Sequence, residues 1–419
     1  MEVFNKLKQI SKSQNSKTIF SNFGYLSLLQ IAGYVFPLIT MPYLARVIGP
    51  TGFGKIAFAA AFIAWFQTFV DWGFNFTATR DVAKCREQLD EVSLIFSRVL
   101  WAKLLLMVIS LAVICVLILV VPLFRNNMYA ILATFLIIPG YIMFPDWLFQ
   151  ALERMKYITL FSILSKLLFT ILVFVFIKDK DDYILQPIFS SLGMIFCGAI
   201  AMYVIIKKWG IKIQLVPLKH VLLTIKKGTD VFLNNLLPNL YNSFSAMLLG
   251  AWCGSISNGI LDAGNKFVNI FHQFEAVVTR VFYPYLARHG EKHRLYATAN
   301  LIFSICLTII LFITAPLLIK IFFTEEFADS IIVLRIMSFS LIFLAMNNIY
   351  GLNYMILKGF EKELRNMTFC CTIIGFIMSF PFIYYFDYIG AAMTICISRG
   401  LIGVAPMWFT IKDRRRKVA

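Results

Sequence analysis

The sequence is poor in charge. Only 15% of its 419 residues are Asp, Glu, Lys or Arg, against about 25% in soluble domains, while 60% are hydrophobic and the mean hydropathy is +0.78. A chain this apolar cannot present a polar surface to water on all sides, which excludes a soluble globular protein. Long polar stretches are missing too. About twenty apolar residues cross one bilayer, so roughly 250 apolar residues supply about twelve spans and leave about fourteen residues for each loop or tail. Loops of that size hold no folded domain, which excludes a large soluble catalytic domain, a nucleic-acid-binding module and a single-pass receptor.

Metal and nucleotide motifs are absent as well. The eight cysteines (Cys85, Cys115, Cys197, Cys253, Cys306, Cys370, Cys371, Cys396) form no C-x-x-C and read as reduced packing residues. There is no Walker loop, so ATP could drive this protein only through another chain. His289 and His293 flank Glu291 at i and i+4, which is not the H-E-x-x-H order of a zinc hydrolase, and read as a surface loop. Asp179, Asp181 and Asp182 read as a solvated turn. No cofactor, metal or nucleic acid is expected.

Apolar runs fall at about 22–47, 52–76, 98–122, 129–151, 158–177, 184–206, 229–252, 259–286, 297–321, 329–356, 367–386 and 390–411. They are continuous and not alternating, so they predict an all-α membrane protein of about twelve transmembrane helices; a spanning helix satisfies its own backbone. The first twenty residues are polar and basic with no cleavage site after a short apolar core, so the first span is expected to stay as an anchor. With the N-terminus in the cytoplasm, 27 basic residues fall on the inner face and six on the outer, which places both termini inside. The Lys-rich segment 207–228 reads as the longest loop and divides the chain into six spans plus six, residues 1–215 and 216–419. Sliding the halves by 205 residues sets Gly49 on Gly254 and Gly54 on Gly259. Internal repeats of this kind mark secondary transporters, with a site between the halves.

Several spans carry polar residues at helical spacing. Asp262, Lys266, Asn269, Gln273 and Arg280 fall within about 40° of one line on a helix, so the run 259–286 has a polar face from end to end. That face looks into water or a partner helix, or else Asp262 and Lys266 pair with each other at i and i+4. Asn235, Asn239 and Asn242 follow i, i+4, i+7 around Pro238, as sugar ligands or as contacts between helices. Gln67, Asp71 and Asn75 line up in the second span, followed by Arg80 and Asp81, as gating or anchoring groups. Lys103 is expected to snorkel to the inner surface, whereas Lys166 and Arg399 lie nearer mid-membrane. Pro37, Pro42, Pro238 and Pro316 are candidate kinks. Within the spans seven basic residues face five acidic ones, a lean towards an anionic ligand.

The stretch Pro42-Tyr43-Leu44-Ala45-Arg46-Val47-Ile48-Gly49-Pro50 with Gly52 and Gly54, then Asp71-Trp72-Gly73-Phe74 and Thr79-Arg80-Asp81, resembles the opening of the Wzx-type O-antigen flippases. These form the polysaccharide transport branch of the multidrug, oligosaccharidyl-lipid and polysaccharide exporter superfamily. Gln150 to Lys156, Tyr241 to Gly250, Gly264-Asn265-Lys266-Phe267 and Tyr283-Pro284 continue the resemblance along nearly the whole chain; Leu261-Asp262 departs from the Tyr-Ser that relatives often carry before the lysine. The resemblance implies two six-helix bundles around a central cavity in the bacterial inner membrane. It also implies a substrate, an undecaprenyl-diphosphate-linked oligosaccharide moved from the cytoplasmic to the periplasmic leaflet by alternating access, with no enzymatic step. On that expectation Arg80 and Arg280 receive the diphosphate at the inner mouth and Arg46 and Lys266 hold it in the outer half. Asn235, Asn239, Asn242, Asn269 and Gln273 face the glycan, and Asp71, Asp81, Asp262 or Glu275 serve ion coupling or gating. Partners would be membrane lipids and the polymerase and chain-length proteins of the same pathway. Three other readings stand beside it: a membrane glycan polymerase or ligase, a cationic drug exporter of the same superfamily, and a lipid II flippase, which usually carries two extra spans.

Overall fold

The computed structural model describes the backbone of residues 14–288 and 292–418; the side chains of 14–23, 26, 276–278, 280–285, 287–288 and 415–418 are outside the described set. Every regular element in it is helical, with no strand among the described residues. The helices are α1 (Gln14–Asp71), α2 (Phe74–Lys84), α3 (Leu89–Val120), α4 (Pro122–Asn126), α5 (Met128–Phe135), α6 (Ile137–Met143), α7 (Asp146–Ala151), α8 (Met155–Phe176), α9 (Leu185–Tyr203), α10 (Leu218–Leu236), α11 (Ser243–Trp252), α12 (Gly254–Arg288), α13 (His293–Phe322), α14 (Ser330–Ser338), α15 (Ser340–Met346) and α16 (Glu361–Val418).

Among the described residues, eight stretches are long and apolar enough to cross a membrane. Two of them overlap the 58-residue helices α1 and α16, each about 87 Å long if straight, nearly three times the hydrocarbon thickness. Each is broken once. α1 breaks at Gly49 (φ 62°), having passed Pro37 and Pro42 with helical dihedrals, and α16 breaks at Asp387 (φ 53°). All the apolar runs read from the sequence fall on helices. α12 is not among the eight stretches, because charged side chains interrupt its apolar character.

By internal packing the chain forms two units. Unit 1 runs up to Tyr43 and resumes at Phe66–Leu233. Its core holds Val99, Ala102, Leu106 and Ile114 of α3 with Ile138, Trp147 and Phe149. Small residues let its helices touch: a Cβ on Gly198 would lie 2.7 Å from that of Met143. Segment 207–228 departs from the expected loop. After residues 209–217 it is helical from Leu218 onward, because Leu218, Val221, Leu222 and Ile225 give it an apolar face. The extended stretch before it is strapped to α3. Ser93 and Ser97 hydroxyls accept from the Lys212 and Gln214 amides at 3.1 and 2.9 Å, and Trp101 donates to the Gln214 carbonyl at 2.9 Å. α10 then closes on the break at Trp72-Gly73, where Trp72 stacks on Phe232 at 4.1 Å and donates to the Ile225 carbonyl at 2.8 Å.

Unit 2 comprises Leu44–Trp65 and Asn234–Ala419. Its long member, α12, spans 35 residues, about 52 Å. Near its start it meets α1 backbone to backbone. A Cβ on Gly54 would lie 1.5 Å from the Ser255 carbonyl oxygen, and one on Gly259 would lie 2.2 Å from that of Pro50. The glycine pairs matched by the 205-residue shift thus have a structural meaning: Gly49 and Gly254 both take positive φ, and Gly54 and Gly259 face each other five residues further on. Pro238 does interrupt its run, opening the 3₁₀ turn Leu237–Leu240. His293 corrects the surface-loop reading: it is buried, its Nε2 lying 2.9 Å from the Ile349 carbonyl and its Nδ1 2.8 Å from Arg414. His289 and Glu291 lie outside the described residues.

The Gly54–Gly259 crossing leaves no room for a methyl group, so Gly54→Ala is expected to cost about 1–3 kcal/mol through overpacking. It should lower the thermal-unfolding midpoint of the purified protein. Gly24→Ala, at a site with no atom within 4 Å, should leave the midpoint unchanged or raise it.

Candidate functional site

The polar face of α12 is what its spacing predicts. Ile260, Leu261, Ala263, Phe267 and Val268 are buried on one side, while Asp262 and Lys266 are half-exposed and Asn269 and Gln273 exposed on the other. Asp262, Lys266, Asn269 and Gln273 thus lie along one polar face of α12, opposite its buried apolar side. Lys266 donates to the Asp262 carboxylate one turn earlier, the pairing that the sequence left open. The ammonium also lies 5.1 Å from the centroid of the Phe53 ring. Phe53 is fixed edge-on against Phe323 and Phe327 at 5.9 and 5.5 Å, so one wall of the lysine site is a rigid aromatic group.

Other expected site residues divide into three groups. Arg46, in unit 2, is exposed and makes no ion pair among the described residues. Arg80, in unit 1, is exposed and holds its neighbour Asp81 at 3.2 Å. Arg280 lies on α12, and its side chain is outside the described set. Asn235 is half-buried.

Two of the amides expected on the glycan are tied to neighbouring protein groups. The 3₁₀ turn breaks the i, i+4, i+7 alignment. Asn239 donates to the Ala64 carbonyl at 3.4 Å, and Asn242 Oδ1 accepts from Arg399 at 3.3 Å. Arg399 is buried, is held further by Ser340 at 3.0 Å, and makes no salt bridge to a carboxylate among the described residues. It is a fixed cation inside unit 2, and Asn242 is part of its cradle.

Asp71 is likewise committed. Lys103 Nζ bonds its carboxylate at 2.9 Å, and Lys103 is 6% exposed, so this lysine is paired inside unit 1 and does not snorkel. Asp146 lies within electrostatic reach of both, and its carboxylate caps the Trp147 amide at 2.8 Å. Glu275 differs from every other acid considered. It lies about 140° around α12 from Asp262 and is fully buried, with no ion pair to a lysine or arginine among the described residues.

Comparison with known proteins is consistent with this geometry. The family described as "Polysaccharide biosynthesis protein" matches residues 19–290. The chain is 30% identical over 408 residues to a protein of Escherichia coli (strain K12) named "Putative O-antigen transporter", covering 96% of this chain and 98% of that one. It is 26% identical over 386 residues to a protein of the same name from Shigella dysenteriae, covering 91% and 97%. Among solved structures it is similar to lipid II flippase MurJ in an inward closed conformation, with TM-score 0.73 and 16% identity over 92% of this chain and 87% of that one. It is also similar to an inward-facing multidrug resistance MATE family transporter of the MOP superfamily, with TM-score 0.65 and 15% identity over 95% and 99%. At such identities the structures share a fold.

The Asp71–Lys103 pair supplies a stability test. Removing one partner strands a charge, so Lys103→Met and Asp71→Asn should each destabilise the purified protein by about 3 kcal/mol. The double variant should recover most of that loss in a double-mutant cycle read by thermal unfolding.

Proposed function

The chain belongs to the polysaccharide biosynthesis protein family, and from that membership we propose that it is a flippase for a lipid-linked oligosaccharide. It is a multi-pass protein of the bacterial inner membrane. The cargo is an undecaprenyl-diphosphate-linked O-antigen unit, carried from the cytoplasmic to the periplasmic leaflet by alternating access of two six-helix bundles, residues 1–215 and 216–419. The observation that carries this reading is the polar row Asp262, Lys266, Asn269 and Gln273, half-exposed to exposed along one face of α12, in a chain whose relatives bear the transporter name.

The chemistry fits the cargo. A diphosphate carries about two negative charges and a glycan many hydroxyls, neither of which enters hydrocarbon without compensation, whereas a polyprenyl tail dissolves in it. Lys266 is the group assigned to the diphosphate, with Arg46 beside the same outer half and Arg80 and Arg280 at the inner mouth. Asp262 holds the Lys266 ammonium in place until phosphate oxygens replace its own, so the site is never an uncompensated cation. Asn269 and Gln273, and Asn235 with them, are assigned to the glycan. Asn239 and Asn242 are assigned to holding the helices, because their amides are already engaged. An inside-negative potential favours outward movement of an anion by about 2.3 kcal/mol per charge per 100 mV.

A cationic drug exporter would place unpaired acids on this face, yet its one acid, Asp262, is paired with Lys266. Export in cells lacking the protein, complemented with variants at wild-type protein level, tests the assignment. Lys266→Ala should lower surface glycan at least tenfold and Lys266→Arg should retain most of it. Normal export by Lys266→Ala and Arg280→Ala together would remove the diphosphate role from α12.

A further inference from the structure

Between α9 and α10, and along the start of α10, unit 1 carries positive charge and apolar surface together. No acidic residue lies between Asp182 and Asp230, whereas six lysines do: Lys207, Lys208, Lys212, Lys219, Lys226 and Lys227. All six are exposed, and none makes an ion pair among the described residues. Leucines stand among them, Leu215 being 89% exposed, Leu218 61% and Leu222 51%. These leucines fall between the apolar runs 184–206 and 229–252, so a membrane span does not account for their exposure.

Hydrogen bonds and ring contacts fix the level at which this segment lies. The apolar stretch Lys180–Lys208 ends on two lysines and is followed by Trp209, and tryptophan and basic residues mark the membrane–water boundary. Trp209 is held edge-on to Phe149 and Tyr157 at 5.2 and 5.3 Å, with the Arg154 guanidinium 4.2 Å from its ring centroid. Further along, the Gln214 amide donates to Ser97 and its carbonyl accepts from Trp101, both at 2.9 Å, where the apolar run 98–122 of α3 begins. The spans on both sides of the strap turn polar at its level, which sets Leu215 at the bilayer surface.

The start of α10 continues the pattern. Its buried seam holds Val221 and Gly228, and a Cβ on Gly228 would lie 2.6 Å from the Trp72 carbonyl oxygen. With Leu218 as zero, that seam lies at about 280–300° around the helix, Leu222 at about 40°, and Lys226 and Lys219 at about 80° and 100°. A leucine stripe edged by lysine is thus left beside a narrow buried seam, the arrangement of a helix lying in the headgroup boundary. Basic clusters of about this size next to a membrane helix match anionic headgroups. Zwitterionic lipid would give the leucines the same boundary but the lysines no counter-charge.

We propose that residues 207–227 form a docking surface for anionic phospholipid, with Leu215, Leu218 and Leu222 in the acyl boundary and the six lysines on headgroup phosphates. The surface lies wholly within unit 1 and does not involve the α12 row. Its test needs no glycan, so it is independent of the flippase reading.

The test uses the full-length protein reconstituted into vesicles of phosphatidylcholine, or of phosphatidylcholine and phosphatidylglycerol in equal amounts, with brominated acyl chains as quencher. A fluorescent amino acid is placed at position 222 by codon suppression, or at position 218 should the first variant fail to fold. Quenching should be at least twofold stronger in the mixed vesicles. Lys212→Gln, Lys219→Gln, Lys226→Gln and Lys227→Gln together should abolish that difference. Equal quenching in the two compositions overturns the proposal, because the lysines then recognise no anionic lipid. A probe quenched in neither overturns it too and turns the leucine stripe towards a protein partner. Full retention of the difference by the four-lysine variant overturns it equally.

Discussion

A charged side chain at the centre of a bilayer costs a few kcal/mol even on lenient scales, and in this multi-pass membrane protein α12 carries Asp262, Lys266, Glu275 and Arg280 on one helix. Each described charge on it has been given its own solution. Lys266 and Asp262 neutralise each other on the face that sees water, with Phe53 beside them. Glu275, on the opposite side, is fully buried. Elsewhere the same constraint gives Lys103 to Asp71 and wraps Arg399 in Asn242 and Ser340.

Helices that bury polar groups must also approach closely. In lipid the hydrophobic effect does little to bring them together, so small residues and interhelical hydrogen bonds take over. Gly54 against Gly259, Gly198 against Met143 and Gly264 against Val333 are contacts of this type, with backbone or Cβ atoms where a side chain would otherwise stand. The breaks follow similar logic. Gly49 and Gly254 turn the chain with positive φ, and Asp387, in the same region of φ, is held by a hydrogen bond of 3.0 Å from Ser257.

The helical class and the polar face of α12 were legible because both rest on periodicity, and 3.6 residues per turn is a property of the backbone alone. The glycine repeat was legible as spacing, although only coordinates show that Gly54 and Gly259 touch. What escaped is what depends on partners distant in sequence. Lys103 looked like an end-of-span lysine until Asp71, 32 residues away, was placed beside it. Asn239 and Asn242 looked like one face because a straight helix was assumed across Pro238, and the 3₁₀ turn rotates that face. The hydrogen bonds of Asn300 and Asn353 to Tyr296 escaped because Asn353 is a single polar residue in an apolar run far from the other two. Their one local signal was Tyr296 and Asn300 at i and i+4.

The most direct measurement is the sidedness of the lipid-linked glycan in cells lacking this protein, read with a membrane-impermeant lectin or glycosidase on spheroplasts and on inverted vesicles. A flippase predicts that the glycan accumulates on the cytoplasmic face and that restoring the gene moves it outward. Accumulation of single units on the periplasmic face would contradict that role and point to a polymerase or ligase.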